Sequence, residues 1–201
     1  MTLTKRLLDI LLALVLGIIL LPVAAAIAAI LLLRDGRPIF YISERMKTFE
    51  EGFNLVKFRT MTGVAKDSGV SGGDKAARIT PTGHFLRRTR LDEIPQIWNV
   101  LKGDISFVGP RPPLRQYVER FPQIYREVLR SRPGITGLAS IYFHAHEERL
   151  LARSSSTEET DEIYCQVCVP RKARLDLIYQ KRRNLCFDMV LMLKTVFKGL
   201  R

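Results

Sequence analysis

Cysteine is scarce in this chain of 201 residues, which holds only Cys165, Cys168 and Cys186. Three thiols cannot build a disulfide scaffold, and such sparing use fits a reducing, cytosolic face. No internal repeat is present, and the only low-complexity stretch is the short Ser154-Ser155-Ser156. Acidic side chains are in deficit, with 20 Asp and Glu against 32 Lys and Arg, giving a formal net charge of +12. That balance suits nucleic acid, anionic lipid headgroups or phosphate-rich small substrates. A nucleic-acid binder would carry a helix-turn-helix, RNP or OB signal with interleaved aromatics. None is recognisable, so the reading is no nucleic acid.

Charge is absent altogether from Ile10 to Leu33. As a helix that run would reach about 36 Å, enough to cross a hydrocarbon core. Lys5 and Arg6 precede it, and Arg34, Arg37, Arg45 and Lys47 lie after it. Positive charge stays on the cytoplasmic side, so both flanks claim the same side. A helix that dips in, bends where Pro22 removes a backbone donor, and returns satisfies both claims. Asp9 is expected at the interface near Arg6. A single span with a mild proline kink is the alternative, since prolines are tolerated in membrane helices. A signal peptide has a shorter apolar core and a small-residue cleavage site. The N-terminus reads as a membrane anchor, and the remainder of the chain is long enough for one compact domain.

After the anchor, Pro38 to Ile42 and Phe53 to Arg59 read as two short strands about a turn containing Gly52. Thr62 to Gly83 lacks an apolar period and holds Gly63, Gly69, Gly72, Gly73 and Gly83, so it reads as a functional loop. A helix is expected around Asp92 to Leu101. Leu114, Tyr117, Val118, Phe121, Ile124, Tyr125, Val128 and Leu129 share a helical face, kinked at Pro122, either on a core or in a membrane interface. Leu185 to Leu200 is very apolar, with Lys194, Lys198 and Arg201 on one side, which strengthens the interfacial case.

Asp92 and Glu93 stand between the basic cluster Arg87-Arg88-Thr89-Arg90 and Pro95. Proline is tolerated in a helix's first turn, so both carboxylates are expected at or near a helix N-terminus, where negative charge is stabilised. They could simply cap the helix and pair with Arg87 or Arg90. A glycosidase pair is excluded, because its carboxylates flank the sugar about 5–9.5 Å apart. Neighbouring helical residues point about 100° apart and cannot do that. Adjacent carboxylates can instead share a Mg²⁺ ion or divide nucleophile and helper roles in phosphoryl transfer. Arg111, inside Gly109-Pro110-Arg111-Pro112-Pro113, is held on a stiff backbone suited to bidentate capture of phosphate. Arg132-Pro133-Gly134-Ile135-Thr136-Gly137 repeats the device, with glycines that permit close backbone approach to a ligand.

Five motifs occur in order: Lys57-Phe-Arg-Thr-Met61, Leu91-Asp-Glu-Ile-Pro-Gln96, Asn99-Val-Leu-Lys-Gly-Asp104, Ser106-Phe-Val-Gly-Pro-Arg-Pro112 and Arg132-Pro-Gly-Ile-Thr-Gly-Leu-Ala139. Together they resemble the bacterial sugar transferase family, the small monotopic phosphoglycosyl transferases. Leu175-Asp176, Tyr179, Asn184, Asp188 and Lys194-Thr195 resemble the family's closing segment. The resemblance implies transfer of a phospho-sugar from a UDP-sugar to polyprenyl phosphate in the cytoplasmic leaflet, releasing UMP and starting surface glycan assembly. It places the nucleophile on Asp92, its acidic partner on Glu93, and a Mg²⁺ ion on Asp92. Lys57, Arg59, Arg87, Arg111 and Arg132 fall at basic positions expected to serve phosphate or nucleotide.

The expectation is therefore an α+β chain. Residues 1–36 form a re-entrant membrane helix. Residues 37–201 form a mostly helical cytosolic domain with a short β-hairpin and interfacial amphipathic helices. Membrane lipids are expected partners, the bacterial inner membrane the location, and a homo-oligomer is left open. A non-catalytic membrane-anchored scaffold is the alternative. After Ala139 the family commonly continues with glutamine and a glycine-bearing turn, where this chain has Ser140-Ile-Tyr-Phe-His-Ala-His146. His144, His146, Cys165 and Cys168 have the ligand types for zinc, but neither pair has a strong finger spacing.

Overall fold

The apolar run folds as one helix, α1 (Leu3–Arg34), continuous through Pro22 in the computed structural model, which describes residues 1–63, 69–70 and 72–197. The expectations for Lys198 and Arg201, and for positions 64–68 and 71 of the glycine-bearing loop, lie outside the described residues. Thirty-two residues make a rod of about 48 Å. Ala13, Ile27 and Leu31 are buried, with Leu12, Leu16, Ala24 and Ala28 packed beside them. These positions recur at helical spacing, so one stripe lies on the rest of the chain. Between the two contact stretches, Ile18, Ile19 and Leu21 stand 75%, 61% and 67% exposed. The chain thus has a helix long and apolar enough to cross a membrane.

Both ends of α1 are tied to the same body. Near the start, Arg6 donates to the carbonyls of Val100 and Leu101 at 2.6 and 2.7 Å, and Lys5 pairs with Asp188. Asp9 does not sit at an interface beside Arg6. It is buried and accepts from the Ser106 hydroxyl at 3.0 Å and the Phe107 amide at 3.2 Å. A strand passing beneath the helix offers two donors to Oδ1, while Oδ2 is buried with no hydrogen-bond partner. At the other end, Arg59 donates to the carbonyls of Asp35 and Gly36, and Thr80 donates to the Asp35 carboxylate at 3.0 Å.

The expected hairpin forms from β1 (Phe40–Met46) and β2 (Gly52–Phe58), antiparallel with Phe40 opposite Phe58 and Met46 opposite Gly52. β1 runs four residues beyond the expected end because it faces solvent, where Ser43, Glu44 and Arg45 need no apolar alternation. A second sheet was not foreseen. β3 (Ser106–Val108) and β4 (Gly134–Thr136) pair in parallel, each too short to show a periodic signal.

Helices supply the remainder, so the chain is α+β and mostly helical. They are α2 (Pro81–Thr89), α3 (Gln96–Lys102), α4 (Arg115–Arg120), α5 (Pro122–Val128), α6 (Leu138–Tyr142), α7 (His144–Leu151), α8 (Thr157–Ile163), α9 (Val169–Arg182) and α10 (Leu185–Val196). A π turn, Tyr164–Cys168, joins α8 to α9. The amphipathic stretch after Leu114 is a core element broken into α4 and α5 at Phe121, with Tyr117, Val118, Tyr125 and Val128 buried. That packing answers the choice between core and interface in favour of the core. On α10, by contrast, Met189, Val190, Leu193 and Val196 are exposed.

Candidate active site

The local chain path puts two carboxylates side by side under cover. α2 starts at Thr80, whose hydroxyl accepts from the Gly83 amide at 2.9 Å, with Pro81 in the first turn. It stops at Arg90, which adopts a left-handed conformation (φ 61°) unusual for a residue with a Cβ. That reversal feeds a 3₁₀ turn, Leu91–Glu93, and then Pro95 and α3. Asp92 and Glu93 therefore lie one turn before α3 rather than within it, and both are buried.

A buried asparagine fixes this turn against the hairpin. Asn99 on α3 accepts from the Val56 amide at 3.1 Å and donates to the Asn54 carbonyl at 2.8 Å and the Asp104 carboxylate at 3.0 Å. With three bonds satisfied at 1% exposure, α3 and β2 are locked in register. Lys57, three residues along β2 from Asn54, reaches the Glu93 carboxylate at 2.6 Å.

The two carboxylates then divide by environment. Glu93 Oε1 also meets Arg111 at 3.0 Å, with Arg90 at 3.9 Å. Burial would raise the Glu93 pKa, but Lys57 and Arg111 overcome it and hold the group far below the usual carboxylate range. Asp92 goes the other way: burial raises its pKa, opposed by Lys57 and reinforced by the Glu93 charge. Its Oδ1 is buried with no hydrogen-bond partner. So Glu93 is a fixed anion locked to two cations, and Asp92 is a carboxylate left without a partner on one oxygen. A capping role alone does not explain that orphan, since capping would give the oxygen a donor.

The predicted cationic residues do not all converge. Lys57, Arg59, Arg87 and Arg111 line one cavity with Asp92 and Glu93, about 670 Å³ in volume. Arg87 is set there by Thr60, to whose hydroxyl it donates at 3.0 Å; burial lowers its pKa, against the pull of Asp92. Arg59 turns Nη2 to the carbonyls at the exit of α1, bracing that end at the cavity's edge, while its Nε is buried with no partner. Arg132 is not among the cavity's lining residues. It donates to the Gly103 carbonyl at 2.6 Å, beyond the end of α3.

The glycines beside Arg132 have a different use from the one expected of them. A Cβ on Gly109 would meet the Arg132 carbonyl at 2.1 Å, and one on Gly134 would meet the Gly109 nitrogen at 2.2 Å. The close approach they permit is between the two Arg-Pro turns, brought together by β3 and β4.

Sequence reasoning missed the cavity's far wall. Glu147 on α7, Tyr164 in the π turn, and Lys172 and Asp176 on α9 line it; Arg45 and Arg90 line the same cavity, Arg90 near Glu93. Asp176 belongs to the closing-segment motif, but its spacing gives no sign of the cavity. His144 also faces the cavity, paired with Glu148 at 3.2 Å, while His146 lies 3.1 Å from Arg171. Burial, with help from Arg90 and Arg111, lowers the His144 pKa to about 3, so it is neutral at physiological pH. Cys165 and Cys168 are buried and free in the core. Among the described residues no group of three or more His, Cys, Asp or Glu is arranged to hold a metal ion.

Known proteins resemble this chain in sequence, some of them over nearly its whole length. The family model for bacterial sugar transferases matches residues 1–201. A UDP-N-acetylgalactosamine-undecaprenyl-phosphate N-acetylgalactosaminephosphotransferase of Aeromonas hydrophila is 30% identical over 96% of this chain and 42% of its own length. A UDP-glucose:undecaprenyl-phosphate glucose-1-phosphate transferase of Escherichia coli is 32% identical over 98% of this chain and 40% of its own. A UDP-galactose-lipid carrier transferase of Erwinia amylovora is 37% identical over 67% of this chain and 31% of its own. The chain thus spans about two fifths or less of the length of these relatives.

Proposed function

The chain belongs to the bacterial sugar transferase family, and from that premise we propose that it is a phosphoglycosyl transferase moving a phospho-sugar from a UDP-sugar to polyprenyl phosphate. The observation that carries the reading is Asp92: buried, unpartnered on Oδ1, and beside a Glu93 already saturated by cations. An Asp92 oxygen attacks the sugar-bearing phosphorus, the bond to the UMP oxygen breaks, and UMP leaves. A polyprenyl phosphate oxygen then attacks the same phosphorus, and the Asp92–phosphorus bond breaks. Lys57, Arg87 and Arg111 offset the diphosphate charge, since phosphoryl transfer depends mostly on positioning and electrostatics.

The residues fit a Mg²⁺ ion shared with the diphosphate. Asp92 supplies a carboxylate oxygen without a donor, and Mg²⁺ is ordinarily held by one or two carboxylates with substrate phosphates and water. Asp92 would hold it, and when bound the ion neutralises charge on the phosphates.

We further propose that residues 1–36 are a re-entrant anchor in the cytoplasmic leaflet of the inner membrane, with residues 37–201 as the cytosolic domain and α10 in the interface. The attachment of both ends of α1 to one body supports this, as do the bare apolar residues between Ile18 and Val23. The exposed apolar side of α10 supports its place at the surface.

One experiment tests the chemistry: the native protein and Asp92→Asn, in membranes, with a panel of UDP-sugars and undecaprenyl phosphate. UMP release should need Mg²⁺ and fall at least 10³-fold, on the order expected for a lost nucleophile, in the variant. Full turnover by Asp92→Asn would defeat the assignment.

A further inference from the structure

The donor cavity has two chemically unlike ends. Around Asp92 it is cationic, with Lys57, Arg87, Arg90 and Arg111. Beyond Arg111 it becomes mixed: Glu147 and Lys172 form an ion pair at 2.8 Å, each side chain only 14% exposed. Lys172 Nζ also reaches the Tyr164 hydroxyl at 3.4 Å. Asp176, one helical turn beyond Lys172 on α9, is 6% exposed and leaves its Oδ1 with no partner. A buried carboxyl without a donor is costly unless a ligand completes it.

Resting on the function proposed above, we propose that Glu147, Lys172 and Asp176 form the wall that reads the hydroxyls of the transferred sugar, selecting an uncharged hexose with adjacent free hydroxyl groups. Glu147 balances Lys172, and burial keeps the Asp176 carboxyl partly protonated near neutral pH, so this end lacks the positive excess found around Asp92 and faces a neutral part of the donor. A pair of neighbouring hydroxyls matches it, each donating to a carboxylate while accepting from Lys172. An acidic sugar would set a further anion against the buried Glu147 and Asp176 and be rejected. The sugar is bonded directly to the phosphorus that Asp92 attacks, whereas the nucleoside lies one phosphate further away. Arg111, bonded to Glu93, is also within the electrostatic reach of Glu147, so the wall begins next to the reacting centre. It therefore meets the sugar first.

The test is equilibrium binding to the full chain in lipid nanodiscs, in an Asp92→Asn background so that no turnover intervenes. Ligands are UMP and UDP-glucose, UDP-galactose, UDP-N-acetylglucosamine, UDP-N-acetylgalactosamine and UDP-glucuronic acid. Glu147→Gln and Asp176→Asn should each weaken the preferred neutral UDP-sugar about tenfold while changing UMP less than twofold, because a lost charged hydrogen bond is worth one to two orders of magnitude. Glu147→Gln should also narrow the gap to UDP-glucuronic acid. Equal losses for UMP and for every UDP-sugar would overturn the proposal, by assigning the wall to the nucleoside or to folding alone. Unchanged affinities in both variants would overturn it too, while leaving the transferase reading intact. If the parent protein bound no UDP-sugar at all, the transferase reading would fall and the wall with it.

Discussion

Replacing Asp176 with asparagine should make the folded protein more stable, and by an amount that depends on pH. Asp176 sits among Tyr125, Tyr164, Lys172 and Glu147. Burial pushes its carboxyl up from 3.8 to about 7; Lys172 lowers it somewhat and Glu147 raises it. Between those two values the folded chain holds a proton that the unfolded chain has released. Stability therefore falls as pH rises through that window and stays low above it. At about 1.4 kcal/mol per tenfold, full ionisation costs the fold about 4 kcal/mol. Water penetration and relaxation reduce such costs, so about 2 kcal/mol is the working figure. An asparagine has no charge to bury. Asp176→Asn should match the parent near pH 4 and exceed it at pH 8, by roughly 4 to 8 °C in Tm for a chain of this size. Circular dichroism melts in nanodiscs across pH 4 to 8.5 give the comparison. Parallel Tm–pH curves for parent and variant would refute the reasoning.

Three other outcomes are expected from the contacts around the site. Glu93→Gln keeps the shape of the side chain but cannot balance both Lys57 and Arg111, so kcat/KM for UMP release should drop about 10²-fold or more. Asn99→Leu leaves the Val56 amide and Asn54 carbonyl bare inside the protein, and thermal or denaturant unfolding should show a loss of about 3 kcal/mol. Arg132→Gln removes a bond to the Gly103 carbonyl and should cost about 1 kcal/mol of stability. Its KM for the UDP-sugar should stay within twofold, because Arg132 does not line the cavity.

How much the residues alone disclose depends on the range of each signal. The long apolar helix, the hairpin and the Asp92–Glu93 turn declare themselves locally, through an apolar run, a glycine turn and a proline-bounded acidic pair. Lys57, Arg87 and Arg111 are legible because they lie in motifs near that pair. Arg132 looks like Arg111 in its sequence setting, yet the parallel pairing of β3 and β4 turns it toward α3. Local sequence carries no trace of which way a residue faces when two three-residue strands pair residues 28 positions apart, as Ser106 with Gly134. Asp9 misleads for the same reason: its donors come from residues 106 and 107. The far wall stays hidden because Glu147, Tyr164 and Asp176 come from three elements joined only by tertiary packing.

The binding of the first turns of α1 into the protein has a practical side. Severing the chain after Gly36 would take Ala13 from the cluster it forms with Val100 and Ile105, deprive the Ser106 hydroxyl of Asp9, leave Asp188 with Tyr179 but without Lys5, and uncap the end of α3. A chain trimmed in this way should be less stable by the loss of these contacts. No residue of α1 lines the cavity, yet its first turns hold α3, which follows directly on the Asp92–Glu93 turn, so a helix remote from the two carboxylates sets the ground on which they stand.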